Sequence, residues 1–260
     1  MKQTVSAALL ATSGALTACG SSNTPVGGAP PPITVGPATQ QTGLATLTAT
    51  PIAGTSNFLF ASDGIDNASV VTDGSVTNGT LIGYKNAADD SFAFVASTGN
   101  SIAAIGVSDP LIGGLDGQLI TRIGSTTIPV SGTAIYSGSY AGFLKQSNLV
   151  GAIVYGDAVL TADFTANEIN GAITNRQRID LSTLVPSPAF EVLDLETGSI
   201  DNAGGFSGST SEGGIFGLST TGSYSGLLTG PNAEEVAGQV DVSHDAGGAM
   251  IFETGVFVAD

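Results

Sequence analysis

Short apolar runs separated by turn signals repeat along most of the chain, without a sustained helical period. Residues 158–164 alternate apolar and polar side chains with a period of two, which is typical of a β-strand with one buried face. Dipeptides such as Asp73-Gly74 and Asn78-Gly79 mark turns between the runs. Gly accounts for 37 of the 260 residues. The pattern predicts an all-β protein.

Residues 129–260 form the more regular part of this pattern. Eight apolar segments with short connections follow one another, near 133–144, 156–164, 168–175, 189–197, 203–210, 216–228, 235–243 and 249–258. Eight antiparallel strands can close into a barrel whose interior is filled by side chains. We therefore predict an eight-stranded antiparallel β-barrel. Aromatic residues make up 6% of the chain and Trp is absent, which favours a soluble barrel over a membrane barrel with aromatic girdles.

Residues 43–128 predict a small β-rich, handle-like domain before the barrel. Residues 92–96 and Ser101–Val107 are continuous apolar runs of strand length. Asn78-Gly79 between two runs favours a two-residue β-hairpin turn of type I′. The preceding residues 20–42 are rich in Pro and Gly, so we predict that they form a linker.

The N-terminus has the pattern of a secretory signal peptide over residues 1–18. Lys2 precedes a short apolar run over residues 5–18, which is too short to cross a bilayer as a helix. Residues 16–19 (LTAC) resemble the bacterial lipobox, whose Cys accepts diacylglycerol. Cys19 is the only Cys of the chain. We predict cleavage before Cys19 and lipidation of its thiol, which would tether the mature protein to the bilayer.

The anchor also predicts a location. By resemblance to lipoprotein sorting, Gly20 and Ser21 after the Cys favour the outer membrane, where the protein would be lipid-anchored and surface-exposed or would face the periplasm. The net charge of the full sequence is −16, and cleavage removes the positive Lys2. Nucleic acid is excluded as a partner, since binding it requires clustered Lys and Arg.

The usual catalytic motifs are missing from the sequence. No Gly-x-Ser-x-Gly, Gly-x-Gly or Cys-x-x-Cys is present, so we predict no enzyme, no cofactor and no metal site. His244 is the only His. Its polar neighbours before Gly247-Gly248 predict an exposed loop residue, and the alternative is a single axial haem ligand.

Four further acidic or basic groups leave a functional and a structural interpretation open. Residues 63–67 and Asp89-Asp90 are interpreted as acidic turns, with calcium ligation as the alternative. Asp163 and Glu168 flank a predicted hairpin and are interpreted as one of the carboxylate pairs that are common in so acidic a chain, with a catalytic pair as the alternative. Arg176 and Arg178 are predicted to lie on one face of a strand end, where they pair with acidic loops or contact an anionic ligand.

Four passages of the C-terminal half form an ordered set of motifs: residues 136–142 (YSGSYAG), 160–164 with 169–173 (LTADF and INGAI), 205–209 (GFSGS) and 230–238 (GPNAEEVAG). Together they resemble the barrel domain of the transferrin-binding protein B family of surface lipoproteins, which also includes haem-binding and complement-regulator-binding relatives. Gly208 would permit a close approach of neighbouring backbone. Glu234 and Glu235 would accept hydrogen bonds from backbone N–H groups and hold the turn.

The resemblance implies a ligand-binding or solute-binding lipoprotein, with iron or haem acquisition as one role and a protein or a small molecule as the ligand. The motifs specify a scaffold and do not locate a binding site. The alternative is a structural or adhesive envelope lipoprotein that uses the same barrel without a solute.

Overall fold

The computed structural model describes residues 31–43, 47–51, 58–62, 65–69, 71–85, 92–107, 116–146, 149–180, 186–189, 191–212, 220–245 and 249–260. Within these ranges the regular secondary structure consists of β-strands, as predicted, and no helix occurs. The described segments therefore include no helix of the length and apolar character that a bilayer crossing requires.

The N-terminal part contains eleven strands among the described residues. They are β1 Ile33–Val35, β2 Ala38–Gly43, β3 Thr48–Pro51, β4 Phe58–Ser62, β5 Ile65–Ser69, β6 Val71–Asn78, β7 Leu81–Lys85, β8 Phe92–Ser97, β9 Ser101–Val107, β10 Asp116–Arg122 and β11 Thr126–Ile128. Six of these described strands form an antiparallel sheet in the order β2-β10-β9-β8-β7-β6, which we call the N-terminal sheet. Strands β3, β4 and β5 form a second sheet, and β1 pairs with β11.

The predicted hairpin around Asn78 is present, with its turn one residue later than expected. Asn78 pairs with Leu81, so the two turn residues are Gly79 and Thr80. Gly79 has a φ of 55°, a conformation that Gly adopts readily. A Cβ at Gly79 would lie 2.0 Å from Ser139 Oγ, so the turn also requires Gly because it touches the barrel.

The linker prediction is wrong for part of residues 20–42, because β1 and most of β2 lie in that range. Strand β2 pairs with β10 over six residues and alternates between exposed and half-buried positions, the pattern of an edge strand. The Pro residues before it dominated the composition and masked this short period-two signal.

The C-terminal part contains nine strands among the described residues. They are β12 Thr133–Gln146, β13 Leu149–Asp163, β14 Glu168–Asp180, β15 Pro186–Ala189, β16 Leu193–Ile200, β17 Gly205–Glu212, β18 Thr220–Thr229, β19 Glu235–Asp245 and β20 Met250–Ala259. Eight of these described strands close into an antiparallel barrel, since β13 pairs with both β12 and β14. The short strand β15 pairs only with β14. The predicted eight-stranded barrel is confirmed.

Some of the predicted barrel strands differ from the observed ones by four residues or more at one end. Strand β13 begins at Leu149 and not near residue 156, β14 continues to Asp180 and does not end near 175, and β16 begins at Leu193 and not near 189. Ala152 and Val154 face the barrel interior, while Val150 and Ile153 pack beneath the N-terminal sheet. A segment buried on both faces has no period-two alternation, which is why the sequence did not reveal it. Strand β11 ends at Ile128, and the domain boundary placed there stays a prediction.

Apolar side chains lie in three layers. The first fills the barrel and includes Tyr136, Leu160 and Phe257. The second, which we call the inter-sheet layer, joins one face of the N-terminal sheet to the outside of the barrel: Leu81, Phe92, Phe94, Ala96, Ala103, Ile105, Val107, Ile120, Ala141, Phe143, Val150, Ile153, Leu227, Ala237, Val256 and Val258. The third covers the opposite face of the N-terminal sheet.

Buried polar side chains fix the N-terminal sheet against the barrel. Gln118 donates to the carbonyl oxygens of Val240 and Gly255, at 3.0 and 2.8 Å. Arg122 is 2% exposed and donates to three carbonyl oxygens, those of Gly36, Leu228 and Ala203, at 2.9, 3.1 and 2.9 Å. These directional bonds set the orientation of the two layers, which apolar packing alone would leave less defined.

Candidate functional site

Five polar side chains meet inside the barrel, towards the end where β12 ends and β20 begins. They project inwards from β12, β14, β17, β19 and β20, and we call them the interior ring: Tyr140, Arg176, Glu212, His244 and Glu253. The charged side chains of the ring are at most 1% exposed. A buried charge is costly unless it is paired and hydrogen-bonded, so its contacts decide what the ring can do.

A β-bulge turns Arg176 into the barrel. Strand β14 shifts register against β13 between Tyr155 and Asp157, and Asn175 within this bulge has a φ of 51°. The additional residue reverses the inside-outside alternation of the strand. Without it Asn175 would point into the barrel, and with it Arg176 does. Gly156 on β13 makes room, since a Cβ there would lie 3.1 Å from Arg176 Cγ.

Each cation of the interior ring bridges both carboxylates. The Arg176 guanidinium forms salt bridges to Glu212 and Glu253. His244 Nδ1 lies 3.1 Å from Glu212 Oε2, and His244 Nε2 lies 3.5 Å from Glu253 Oε2. The Tyr140 hydroxyl donates to Glu253 Oε1 at 2.8 Å. Two positive and two negative groups therefore alternate, and the ring is neutral when His244 is protonated.

The electrostatics support that protonation state. Burial lowers the pKa of His244, but hydrogen bonds to Glu212 and Glu253 outweigh it and raise the pKa from 6.5 to about 9. Burial raises the pKa of Glu253, but Arg176 and the hydrogen bonds from His244 and Tyr140 outweigh it and lower the pKa to about 2. Burial followed by the charge of Glu253 raises the pKa of Tyr140 well above 10. At neutral pH the ring holds an imidazolium and an ionised Glu253.

The contacts of the ring are those of a structural centre. A general base or a metal-ligating His needs a neutral ring nitrogen directed at its target, whereas both nitrogens of His244 face carboxylates. No group of three or more metal-ligating side chains occurs in the described ranges. The arrangement holds five strands of the barrel in one register.

Aromatic rings lying over glycines of the neighbouring strands fill the rest of the barrel centre. Phe206, Tyr224 and Phe257 each sit opposite a glycine in the ladder: Gly226, Gly208 and Gly238 respectively. A Cβ at any of these glycines would come within 2.5 Å of the ring. The interior is thus occupied by the protein's own side chains, as expected for eight strands.

The sequence-based prediction for His244 is wrong. His244 is 1% exposed and lies in β19, opposite Thr220 of β18. Its neighbours Ser243 and Asp245 face away from the interior, and their polarity suggested a loop. Arg176 and Arg178 also differ from the prediction, because Arg176 pairs with acids on strands and not on loops. The side chain of Arg178 is 44% exposed, and its Nη2 lies 3.6 Å from Asp180 Oδ2.

Asp163 and Glu168 pair across β13 and β14, next to the turn that joins these strands. Asp163 Oδ1 accepts hydrogen bonds from the backbone N–H groups of Thr165 and Ala166, at 2.8 and 3.0 Å. It thereby caps the turn. Asp63, Gly64, Asp89, Asp90 and Cys19 lie outside the described residues.

The two acidic residues of the GPNAEEVAG motif have different roles. Glu234 accepts a hydrogen bond from the backbone N–H of Asn232 at 2.6 Å, as predicted. Glu235 instead accepts hydrogen bonds from the side chains of Thr98 and Asn100, both at 2.7 Å, and so ties the β8–β9 turn to the barrel. Gly208, in GFSGS, admits the ring of Tyr224, whereas the sequence had suggested neighbouring backbone.

Sequence reasoning did not identify Tyr140, Glu212 and Glu253 as part of the ring. The inward position of Glu253 could be inferred from the sequence, since it lies two residues from Ile251 and from Gly255 and so shares one strand face with them. An acidic residue in an inward position of a strand is the signal that was available. The bulge at Asn175 was not readable, because it depends on the pairing of β14 with β13.

A comparison with protein families matches residues 126–240 to the family described as factor H binding protein, C-terminal. Among solved structures, two mutants of transferrin-binding protein B from Haemophilus parasuis Hp5 are 14% and 13% identical to this chain, with TM-scores of 0.49 and 0.48. They cover 86% and 88% of this chain, which spans 44% of each.

A third structure is isotype 1 transferrin-binding protein B from serogroup B Neisseria meningitidis. It is 16% identical to this chain, with a TM-score of 0.43. It covers 88% of this chain, which spans 43% of that protein. The chain thus spans less than half the length of these proteins. A comparison with curated protein sequences gave no match. The family match includes β12 to β18 and the GPNAEEVAG turn. The C-terminal barrel is therefore similar to the C-terminal part of a factor H binding protein, and this match lies in the same part of the chain as the motifs.

Proposed function

We propose that the chain is a lipid-anchored protein of the bacterial outer membrane that binds another protein at its surface. The observation that carries the proposal is the match of residues 126–240 to the C-terminal part of a factor H binding protein. A binding role also fits the absence of catalytic motifs from the sequence and the neutral ring inside the barrel, in which each cation faces both carboxylates.

The filled barrel favours a macromolecule over a small solute. Aromatic rings and the interior ring occupy the barrel centre, where a lipocalin-like protein would hold its ligand. A partner would therefore contact the outside of the molecule, where a protein ligand can cover a broad area.

The lipid anchor is proposed from the sequence alone. Residues 16–19 resemble a lipobox, and lipidation of Cys19 would hold the folded part at the membrane. Gly20 and Ser21 favour the outer membrane. A surface position would bring the protein into contact with proteins of a host.

Iron acquisition is the more specific role that we propose for this binding. The motifs of the C-terminal half resemble those of the transferrin-binding protein B family, and a protein that carries iron would be a partner of suitable size. Direct haem binding through His244 is disfavoured, since the buried imidazole lies between two carboxylates.

Binding to the full lipoprotein on intact cells tests the proposal. Factor H and transferrin, each labelled with a fluorophore, serve as probes, and cells expressing the Cys19→Ser variant serve as the control. We expect saturable binding of at least one probe to cells with the unaltered protein and loss of surface binding with the variant. Absence of binding by either probe, with the protein shown to be resistant to protease added to intact cells, would contradict a surface binding role.

A further inference from the structure

The outside of the barrel is apolar where the N-terminal sheet covers it. Side chains that point outwards on β12, β13 and β20 in the covered region include Phe143, Ile153 and Val256, each at most 1% exposed. Each contributes to the inter-sheet layer. Outward apolar residues of the barrel thus have a protein surface packed against them in this region.

Beyond the sheet, the outward positions are short and polar. Ser207, Ser209 and Ser223 on β17 and β18 are exposed, as is Asp194 on β16. This is the ordinary composition of a solvated strand face, so coverage and polarity correspond closely around the barrel.

Two pairs of apolar residues on the described barrel strands depart from this correspondence. Met250 and Phe252 of β20 are each 43% exposed, and Lys145 lies opposite Phe252 in the ladder.

The second pair lies on β12 and β13. Ile135 on β12 is 70% exposed and Val159 on β13 is 38% exposed. Ile135 pairs with Thr161, and Val159 pairs with Ser137, so the two apolar side chains are diagonal neighbours on the same face. Ala172 lies directly opposite Val159 on β14, and we call Ile135, Val159 and Ala172 the exposed apolar patch.

Carboxylates surround the exposed apolar patch. Asp163 and Glu168 pair in the row on one side, Asp157 lies two residues from Val159 on the other, and Asp194 pairs with Ala172. The described outward positions of β12, β13 and β14 from this acidic row to Asp157 include no Lys or Arg: Thr133, Ile135, Ser137, Ser139, Asp157, Val159, Thr161, Asp163, Glu168, Asn170, Ala172 and Thr174.

The charge of this surface selects among possible occupants. A second copy would place the same carboxylates opposite one another, and anionic lipid headgroups would be repelled in the same way. A positively charged protein segment would gain from both features, since its cations would meet the carboxylates while an apolar side chain covers Ile135 and Val159.

We infer that the exposed apolar patch and its acidic border form a docking surface for a positively charged protein segment that presents an apolar side chain. The inference rests on the proposed function, because it states where on this binding protein a partner makes contact and what chemistry that partner has.

Methyl NMR of the folded protein with synthetic peptides tests the inference. The probe peptide has one leucine flanked on each side by lysines alternating with threonines; a second peptide has serine in place of leucine, and a third has glutamates in place of lysines. We expect shift changes at the methyl groups of Ile135 and Val159 with the first peptide only. Ile135→Ser combined with Val159→Thr should weaken that binding about fivefold or more, as loss of one apolar contact implies.

Val192→Thr is the matched control, since Val192 is 43% exposed just before β16 and lies outside the patch. It should leave peptide binding unchanged, whereas Glu168→Gln combined with Asp194→Asn should weaken it. Equal binding by the serine peptide, shift changes spread over the whole acidic surface, or no binding would each overturn the inference. Broadening of the Ile135 methyl signal with protein concentration alone would also overturn it and would assign the patch to a second copy.

The same double variant in the cell-binding assay separates this inference from the proposed function. If factor H or transferrin binds the Ile135→Ser, Val159→Thr protein as well as the unaltered one, the function stands and this docking surface is wrong. If neither probe binds and the protein resists protease added to intact cells, while the lysine-leucine peptide marks the patch on the folded protein, the docking surface stands and the proposed surface role is wrong.

Discussion

Asn175 determines where Arg176 points. The left-handed backbone at Asn175 adds one residue to β14 and turns the next side chain into the barrel, where it meets Glu212 and Glu253. The two neighbours thus connect a local backbone conformation to a charge network that involves five strands. A substitution that changes the backbone at Asn175 should therefore disturb the salt bridges of Arg176.

Substitution of Asn175 tests this connection. Asn175→Val should lower the free energy of unfolding by about 1–3 kcal/mol, because a β-branched residue is strained at a positive φ. Asn175→Gly should be nearly neutral, since Gly adopts this conformation readily. Urea unfolding followed by fluorescence of the Tyr residues measures both. Equal losses for Val and Gly would show that the Asn side chain matters and the backbone conformation does not.

Removal of Arg176 should be among the most destabilising changes in the barrel. Arg176→Met leaves two buried carboxylates with one imidazolium, and breaking a buried ion pair by loss of one partner costs about 3–5 kcal/mol. Arg178→Met is the matched control: that side chain is 44% exposed, and exposed pairs contribute less than about 1 kcal/mol. Chemical denaturation of both variants provides the comparison, and similar losses would contradict a special role for the interior ring.

The stability of the protein should decline on the alkaline side of neutrality because of His244. Its pKa in the folded state is about 9, above the ordinary 6.5, so folding favours the protonated form. This contribution is fully present below pH 6.5 and is lost as the pH rises through 9. Urea unfolding between pH 5 and 10 should show the decline in the unaltered protein and a flatter profile in His244→Gln. The chain has one His, so an identical slope in the variant would refute the assignment.

A methyl group at Gly238 should disturb the barrel centre through Phe257. The new Cβ would lie 2.2 Å from Phe257 Cζ on the opposite strand, and overpacking of this kind costs about 1–3 kcal/mol. Phe257→Leu should offset part of the effect of Gly238→Ala, so the double variant should lose less than the two single variants together. A double-mutant cycle by thermal unfolding measures the coupling. Strict additivity would show that the ring and the glycine do not constrain each other.

Arg122 should be irreplaceable by Lys. Its guanidinium donates to three carbonyl oxygens that lie in different segments, and a single ammonium group cannot reach all of them in the same geometry. Arg122→Lys should therefore lose about 1–3 kcal/mol through unsatisfied buried carbonyls. Lys145→Arg, at a half-buried position on β12, is the control with the reverse substitution. Full stability of Arg122→Lys in urea would mean that water satisfies the three carbonyls.

The sequence predicted the barrel well because most of its strands have one buried and one solvated face. The first parts of β16 and β18 alternate with a period of two, and Asp201 and Gly230 follow the two strands. Prediction failed where both faces are covered, as in the first part of β13, and where a strand pairs only at an edge, as in β2. Those features depend on the N-terminal sheet, whose position the barrel sequence does not specify.

The interior ring was less predictable than the fold. His244 lies among polar residues that point outwards, so its local sequence resembles a loop while its side chain is buried. Once the strands are assigned, a charged residue at an inward position can be recognised from the sequence as unusual. Which of them meet, however, depends on the shear of the barrel and on the bulge at Asn175.

The inter-sheet layer has an evolutionary consequence. Phe143, Ile153 and Val256 of the barrel are covered by residues of the N-terminal sheet. A barrel inherited without that sheet would therefore expose a broad apolar surface that favours aggregation. Glu235, within the GPNAEEVAG motif of the barrel, also accepts hydrogen bonds from Thr98 and Asn100 at the β8–β9 turn of the sheet. The two parts are therefore poor candidates for independent shuffling among genes, and sequence change in one should be accompanied by compensating change in the other.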